Sequence, residues 1–418
     1  MEDFSGFYKL SVEERLAKVK KAAGLSDEEA VALSSSGALD LAKADKMVEN
    51  VIGAVHLPLG LATNFLINGR HMVIPMAVEE SSVIAAACRG AKQALPEGFH
   101  AEADEPVMIG QIQLIELPDF ERAIKDIALN RKELMLEASG HMKQHERYGC
   151  GVRGFETKLL DTGRGPMLIV DFFVAVGDAQ GANMVNTVLE NIAPTFSKLT
   201  GGRARLRIIS NLADRRKARA SAVWKKDVVG SEVIEGVMDA YEFAKNDVYR
   251  CATHNKGIMN GIDAVALATG NDWRSVEAGA HAYAALGQYK PLTRYYKNEK
   301  GDLVGSIELP LAVATVGPAM NSSPTARLAL KIMGVKTSKE LAMAMACVGL
   351  ANNFAALSAL STEGIQKGHM KLHARNIAMY SGATTPEEIE AVADALAKKK
   401  DFSLEKAKEA LEEHRKGG

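Results

Sequence analysis

Residues 155–177 read FETKLLDTGRGPMLIVDFFVAVG, and this stretch decides the fold. Two runs rich in Val, Ile, Leu and Phe flank Thr162-Gly163-Arg164-Gly165, which predicts a hairpin between strands Phe155–Asp161 and Pro166–Gly177. Upstream, Val107–Leu117 alternates as a strand, and Pro118-Asp119 opens a helix predicted to run over Asp119–Gly140. Downstream, Gly181–Leu199 is helical, Gly201-Gly202 ends it, and Arg203–Ser210 is again a strand. The order β-α-β-β-α-β is that of a ferredoxin-like split βαβ unit. About a hundred residues with a complete topology make a domain, inserted in the middle of the chain.

On both sides of the insertion the chain reads as mostly helical, so the fold class is α+β. Ser11 with Glu14 and Ser26 with Glu29 are capping-box spacings ahead of short helices. Pro75 closes a loop leading into a helix over Ala77–Leu95, where Val78, Ser82, Ala85, Ala86 and Arg89 recur at helical spacing. Pro96–Pro106 is a Pro/Gly/acidic boundary. Beyond the insertion, helices are predicted over Ser231–Asn246, Lys256–Thr269, Asp272–Leu286, Ser322–Met333 and Ser338–Leu360. A hairpin is expected around Lys300-Gly301-Asp302, and a charged helical tail follows the break at Gly382–Pro386. Leu341–Leu360 carries no charge over twenty residues and must be weighed as a membrane span. Its Ala/Met composition, the internal Asn352-Asn353 and the capped flanks favour a buried core helix. Buried asparagines need partners, which points to a site nearby.

Composition narrows the classes. The 418 residues hold 51 Lys+Arg and 52 Asp+Glu, with 47% hydrophobic and 25% charged residues. That is ordinary for a soluble multidomain enzyme and excludes a disordered or fibrous chain. A formal charge of -1 argues against a nucleic-acid partner. Four scattered cysteines without a CxxC pair exclude a zinc ribbon or disulfide scaffold and fit a reducing cytoplasm. No signal peptide is recognisable at the start.

Several motifs compete for the chemistry. Gly149–Gly154 is a formal GxGxxG, but a polar helical segment precedes it and a strand follows, the reverse of the dinucleotide fingerprint. Asp178-Ala179-Gln180-Gly181-Ala182-Asn183 is the better phosphate candidate, directly after an apolar strand and opening a helix; an Asp N-cap on an ordinary helix is the alternative. His369/His373 and His141/His145 are spaced i, i+4 as metal ligands can be, yet neither pair has an HExxH glutamate or a third ligand near in sequence. The densest polar run is Thr253–Trp273, where Lys256, Asn260, Asp263, Asn271 and Asp272 sit among small and apolar residues. Charge in such surroundings is paired or catalytic. Glu79-Glu80 ahead of Ser81-Ser82 is either a second catalytic element or a helix-dipole complement.

Taken in order, Glu49–Gly53 (ENVIG), Val78–Ser82, Asp178–Asn183, Arg205–Asn211, Thr253–Gly261 (THNKGIMNG), Gly270–Arg274 and Gly368–Met370 resemble the soluble class II 3-hydroxy-3-methylglutaryl-CoA (HMG-CoA) reductases over nearly the whole chain. The resemblance implies a large substrate domain in two pieces, 1–104 and 213–367, around a cofactor domain at 105–212, with a helical flap at 368–418. It implies reduction of HMG-CoA to mevalonate and free CoA, or the reverse, in two hydride transfers through a hemithioacetal. By the same resemblance Lys256 stabilises the carbonyl oxygen, Glu80 is the general acid, Asp272 links the two, and His369 protonates the departing thiolate. Arg250, Asn260, Ser82, Asn211 and His373 match substrate-side positions. Asp178, Gln180, Gly181, Ala182 and Asn183 match the cofactor side, and the active site is expected at a homodimer interface. Relatives often have proline where Ser81 stands, and NAD-selective members carry an aspartate at Gly154. With glycine there and Arg153 and Lys158 close by, use of both NADPH and NADH is expected, with no metal. A metal-dependent hydrolase or lyase using His369/His373, or a non-catalytic acyl-CoA binder, is the alternative.

Overall fold

The structure is a computed structural model and describes residues 3–35, 41–317, 323–362, 374–399 and 401–417. Among the described residues, ten strands form two sheets. β1 (Leu59–Ile67), β2 (Arg70–Ala77), β3 (Phe99–Ala103), β8 (Lys217–Trp224), β9 (Thr293–Lys297) and β10 (Leu303–Pro310) make the larger, in the order β2-β1-β3-β8-β10-β9. β4 (Val107–Ile115), β5 (Gly151–Leu160), β6 (Met167–Ala175) and β7 (Arg203–Ile209) make the smaller, in the order β5-β6-β4-β7. All pairings in the smaller sheet are antiparallel. With helical crossovers after β4 and β6, this is the ferredoxin-like arrangement.

The insertion has a simple geometric origin. β3 runs into β4 across three residues and β7 returns to β8, while β3 and β8 themselves pair antiparallel, Phe99 opposite Ala222 through Ala103 opposite Ala218. The small domain is therefore the loop of an enlarged hairpin. Asp104 and Lys217 tie its neck: each main-chain N–H is used, one to the partner carbonyl at 2.9 Å and one to the Asp104 carboxylate at 3.2 Å. Arg219 adds an ion pair to Asp104 at 2.7 Å.

Four strands of the large sheet depart from the sequence reading. β1 and β2 lie ahead of and within the loop expected to close at Pro75, β3 lies in the expected Pro96–Pro106 boundary, and β8 lies where no element was expected. Pro75 falls within β2, which is tolerated because β2 is an edge strand with one unpaired side. The following helix consequently begins at Val83 rather than Ala77 and ends at Gln93. The boundary at Pro96–Pro106 hides β3, whose five residues are too few for an alternation signal to stand out. The helix expected over Asp119–Gly140 is two, Phe120–Leu129 and Arg131–Gly140, broken at Asn130, whose side-chain amide donates to the Asp126 carbonyl at 2.8 Å. Both predicted capping boxes are formed.

The apolar helix Ser338–Ser361 is the axis of the large domain, and 89% of its most apolar window is buried inside the protein. A helix enclosed on all sides needs no polar face. The helix Val248–Ala268 crosses it closely because Gly261 has no Cβ: one placed there would stand 2.9 Å from Val348. Trp224 of β8 stacks on Phe354 at 4.0 Å between ring centres, and its indole N–H donates to the Gly90 carbonyl at 3.0 Å. Helices Val83–Gln93, Val248–Ala268 and Ser338–Ser361 thus converge on one end of the core. After the central helix, residues 374–380 and helices Pro386–Lys399 and Leu404–Gly417 share a separate small core.

Candidate active site

A cavity of about 440 Å³ opens where those three helices converge. Arg250, Thr253, Gly257 and Asn260 recur every three to four residues along Val248–Ala268, so they share the face that lines it, with Lys256 beside them. Glu80 comes from the loop ahead of Val83–Gln93, and its Oε2 lies 3.3 Å from Lys256 Nζ. Ser82 caps that helix with φ +80°, a left-handed conformation costly for a residue with a side chain and retained where the surroundings hold it in place. Ser82, Ala85, Ala86 and Arg89 all reach the cavity. Arg89 was present in the helical periodicity of the sequence but carried no motif to single it out.

The wall behind Lys256 is an ordered polar network. His254 is buried; Thr293 Oγ1 lies 2.6 Å from its Nε2 and in turn donates to Asn353 Oδ1 at 3.2 Å. Tyr295 donates to the same oxygen at 2.9 Å. Thr293 must then accept from His254, which places the imidazole proton on Nε2. Burial, reinforced by the Arg250 charge, pushes the His254 pKa down to about 3, so this histidine is neutral and structural. The expectation that Asn352-Asn353 face a site is met, since both line the cavity. Asp263, one turn beyond Asn260, lies beside the Glu277 carboxylate. Burial and that neighbouring carboxylate push its pKa up to about 9, while His281 at 2.8 Å keeps Glu277 ionised.

Lys256 and Glu80 are not enclosed: their side chains are 61% and 40% exposed. The cavity is open on one side, and neither charge is stripped of water by this chain's described residues.

A second cavity of about 450 Å³ lies between the two domains, lined by His141, His145, the 179–184 segment, Gly270–Asp272, Ala314 and Gly317. Gly181, at φ +99°, turns the chain into the helix Ala182–Thr200. Gln180, Gly181, Ala182 and Asn183 line this space, but Asp178 does not. Its carboxylate accepts the Ser338 N–H at 2.7 Å, at the start of the central helix, so it caps a helix 160 residues away rather than its own. Asp272 also belongs here. It caps Trp273–Ala284 and pairs with Arg274 at 3.1 Å. A single chain therefore does not join Asp272 to the Lys256–Glu80 pair.

The remaining candidates are dispersed. Gly154 stands on β5 opposite Phe173, and the Gly149–Gly154 motif leads into a strand, as its context implied. Arg153 is held by Glu105 at 2.6 Å and Lys158 by Asp171 at 2.6 Å. Asn211 lines neither cavity. His369 and His373 lie outside the described residues. Among the described residues no three His, Cys, Asp or Glu side chains cluster as a metal site. The segment around the ENVIG motif forms neither helix nor strand, and Ile52 and Val55 on it are almost fully exposed.

Comparison with known proteins shows what the chain is similar to. Residues 11–374 match the family model for hydroxymethylglutaryl-coenzyme A reductase. The 3-hydroxy-3-methylglutaryl-coenzyme A reductase of Archaeoglobus fulgidus is 53% identical over 409 residues, 97% of this chain and 93% of that protein. A probable reductase of the same name from Borreliella burgdorferi is 35% identical, over 79% of this chain and 77% of its own length. Among solved structures, the reductase of Streptococcus pneumoniae superposes with a TM-score of 0.83 at 37% identity, covering 98% of this chain and 99% of the other. A class II structure from the same organism, bound to NADPH in open conformations, gives 0.82 at 38% identity, covering 97% and 100%.

Proposed function

The chain belongs to the hydroxymethylglutaryl-coenzyme A reductase family, in its class II form, and from that premise we propose that it reduces HMG-CoA to mevalonate and free CoA with NADPH. The observation that carries the reading is the approach of Lys256 Nζ to Glu80 Oε2 at 3.3 Å inside a cavity that also presents Arg89, Arg250 and Asn260.

The donor set of the second cavity fits a dinucleotide. The main-chain N–H groups of Gln180 and Gly181 have no protein acceptor among the described residues, and a 19-residue helix starts there with its positive end toward the space. When bound, reduced nicotinamide supplies hydride, twice per thioester. Everything else falls to the protein. Lys256 holds the carbonyl oxygen as negative charge develops on it, a cation placed before the reaction begins. Glu80, beside it, gives that oxygen its proton. Arg89, Arg250, Asn260 and Ser82 bind and orient the acyl-CoA. His369 protonates the sulfur as the C–S bond breaks, with His373 on the substrate side of the same segment.

Two copies of the chain complete the site. The openness of the Lys256–Glu80 cavity, the location of Asp272 on the other cavity and the bare Ile52 and Val55 support a dimer in which the partner's cofactor side closes over the substrate side. Asp272 of one copy then meets Lys256 and Glu80 of the other and links them. Gly154 leaves room for a 2′-phosphate, which supports use of NADPH and NADH together. The four cysteines are all free, in keeping with a reducing cytoplasm.

The test is stoichiometric. Purified protein with HMG-CoA should release one CoA thiol for every two NADPH oxidised. Thiol release without nicotinamide oxidation would identify a hydrolase and overturn the reading; binding without either would identify a mere acyl-CoA binder.

A further inference from the structure

The loop that opens the second cavity is fastened from behind by a residue that no motif marks. Arg216, between β7 and β8, is 4% exposed. Its Nη1 donates to the carbonyls of Ala179 at 3.1 Å and Gln180 at 3.3 Å, and its Nη2 donates to the Val313 carbonyl. It forms no ion pair among the described residues. Asp178 lies near enough to act on its charge, but that carboxylate is committed to the Ser338 N–H. Burial lowers the Arg216 pKa only to about 10, so the guanidinium stays charged at neutral pH. A buried cation answered by three carbonyls is costly to keep and suggests a task beyond packing.

The peptide geometry shows what the task is. In a trans peptide the C=O and the following N–H point in opposite directions. Drawing the carbonyls of Ala179 and Gln180 inward therefore turns the N–H groups of Gln180 and Gly181 outward, into the cavity those residues line. The third carbonyl, Val313, belongs to the segment just after β10, whose next residue is held by Asn271. Asn271 accepts from the Ala314 N–H at 2.7 Å and donates to its carbonyl at 3.2 Å. Asp272 follows directly. One side chain thus joins the anion-facing loop to the wall that presents Asp272.

We propose that Arg216 is the positioning residue of the dinucleotide cradle, aiming the Gln180 and Gly181 N–H groups at the cofactor's pyrophosphate and lending it positive charge from behind. The inference rests on the dinucleotide reading of this cavity. Arg216 does not touch substrate; it acts through the loop.

The experiment is an equilibrium titration of NADPH, followed by its fluorescence, against wild type, Arg216→Met and Arg216→Lys. Arg216→Met should weaken NADPH binding on the order of tenfold to a hundredfold, the usual worth of a charge-assisted hydrogen bond to an anion. Arg216→Lys should recover part of that loss, and HMG-CoA binding should change less than NADPH binding, because Arg216 neither lines the Lys256–Glu80 cavity nor bonds to a residue that does. A folded Arg216→Met that binds NADPH like wild type would overturn the proposal. Amide exchange in the wild type keeps it testable if the variants do not fold. The Gln180 and Gly181 amides should exchange freely and become protected on adding NADPH, and absence of that protection would also overturn it. Failure of the reductase reading is separable. A protein that binds NADPH with this dependence but releases no CoA thiol keeps the cradle and loses the reaction, whereas normal turnover with Arg216-independent binding does the opposite.

Discussion

Lys256 and Glu80 stand 176 positions apart in the chain and 3.3 Å apart in space, Nζ to Oε2, one from a long helix and one from the loop before another. Neither helix alone makes a site. The packing of both against the central helix Ser338–Ser361 brings the two side chains together, and Gly90 and Gly261, one on each helix, permit those close approaches.

Glu80→Gln keeps the shape of the pair and removes the transferable proton. Turnover with HMG-CoA should fall on the order of a hundred- to ten-thousandfold, the usual range for a positioned acid. NADPH affinity, measured by titration, should not change, since Glu80 is absent from the second cavity. A parallel loss of NADPH binding would place Glu80 elsewhere in the mechanism.

Exchange between subunits tests the shared site. Lys256→Ala and Asp272→Ala should each be inactive alone. After unfolding and refolding together, roughly a quarter of the wild-type rate should return, because random pairing gives mixed dimers with one site carrying both residues. No recovery, with mixed dimers shown to form, would mean that Lys256 and Asp272 serve the same site from one chain.

Cofactor choice should respond to Gly154. A Cβ there meets only Arg131 at 3.7 Å and Phe173 at 3.8 Å, so Gly154→Asp fits without rearrangement. The new carboxylate should repel a 2′-phosphate and lower the ratio of kcat/KM for NADPH over NADH by about tenfold or more. An unchanged ratio would remove this position from cofactor recognition.

The Asp263–Glu277 pair predicts a pH dependence of stability. Folded Asp263 holds its proton up to about pH 9, whereas an unfolded aspartate releases it near pH 4, roughly. The native state therefore binds more protons across that interval, and stability falls as pH rises through it. Glu277, whose folded pKa is lowered, adds an opposite slope only in the acid range below its ordinary value. Asp263→Asn removes the larger effect, so its melting temperature should exceed that of wild type by a margin that grows from about pH 5 to pH 9. A margin independent of pH would show that folded Asp263 is not held protonated.

Much of this was readable from the chain, and the gaps have physical reasons. The split βαβ unit announced itself because its strands are long and its turns are marked by Gly163, Gly165 and Gly201-Gly202. Lys256 and Asn260 stood out as polar groups in an apolar helix. β3 was hidden because five residues between Pro96 and Pro106 cannot show a period. Asp178 looked like a cofactor ligand because its true partner, Ser338, is 160 residues away. Arg216 gave no signal, being one cation among several in a basic stretch, and only burial sets it apart. The exposure of Lys256 was likewise unreadable, since sequence pattern reports local periodicity and not whether a cavity is closed.

The most direct measurement is the rate of NADPH oxidation with HMG-CoA by Lys256→Ala. That side chain is 61% exposed, so the variant should fold and melt as wild type does, and bind NADPH unchanged. Loss of the cation from the developing oxyanion should cut turnover on the order of a hundred- to a thousandfold. Turnover at the wild-type rate would contradict the assignment of Lys256 and, with it, the chemistry placed in the cavity it shares with Glu80.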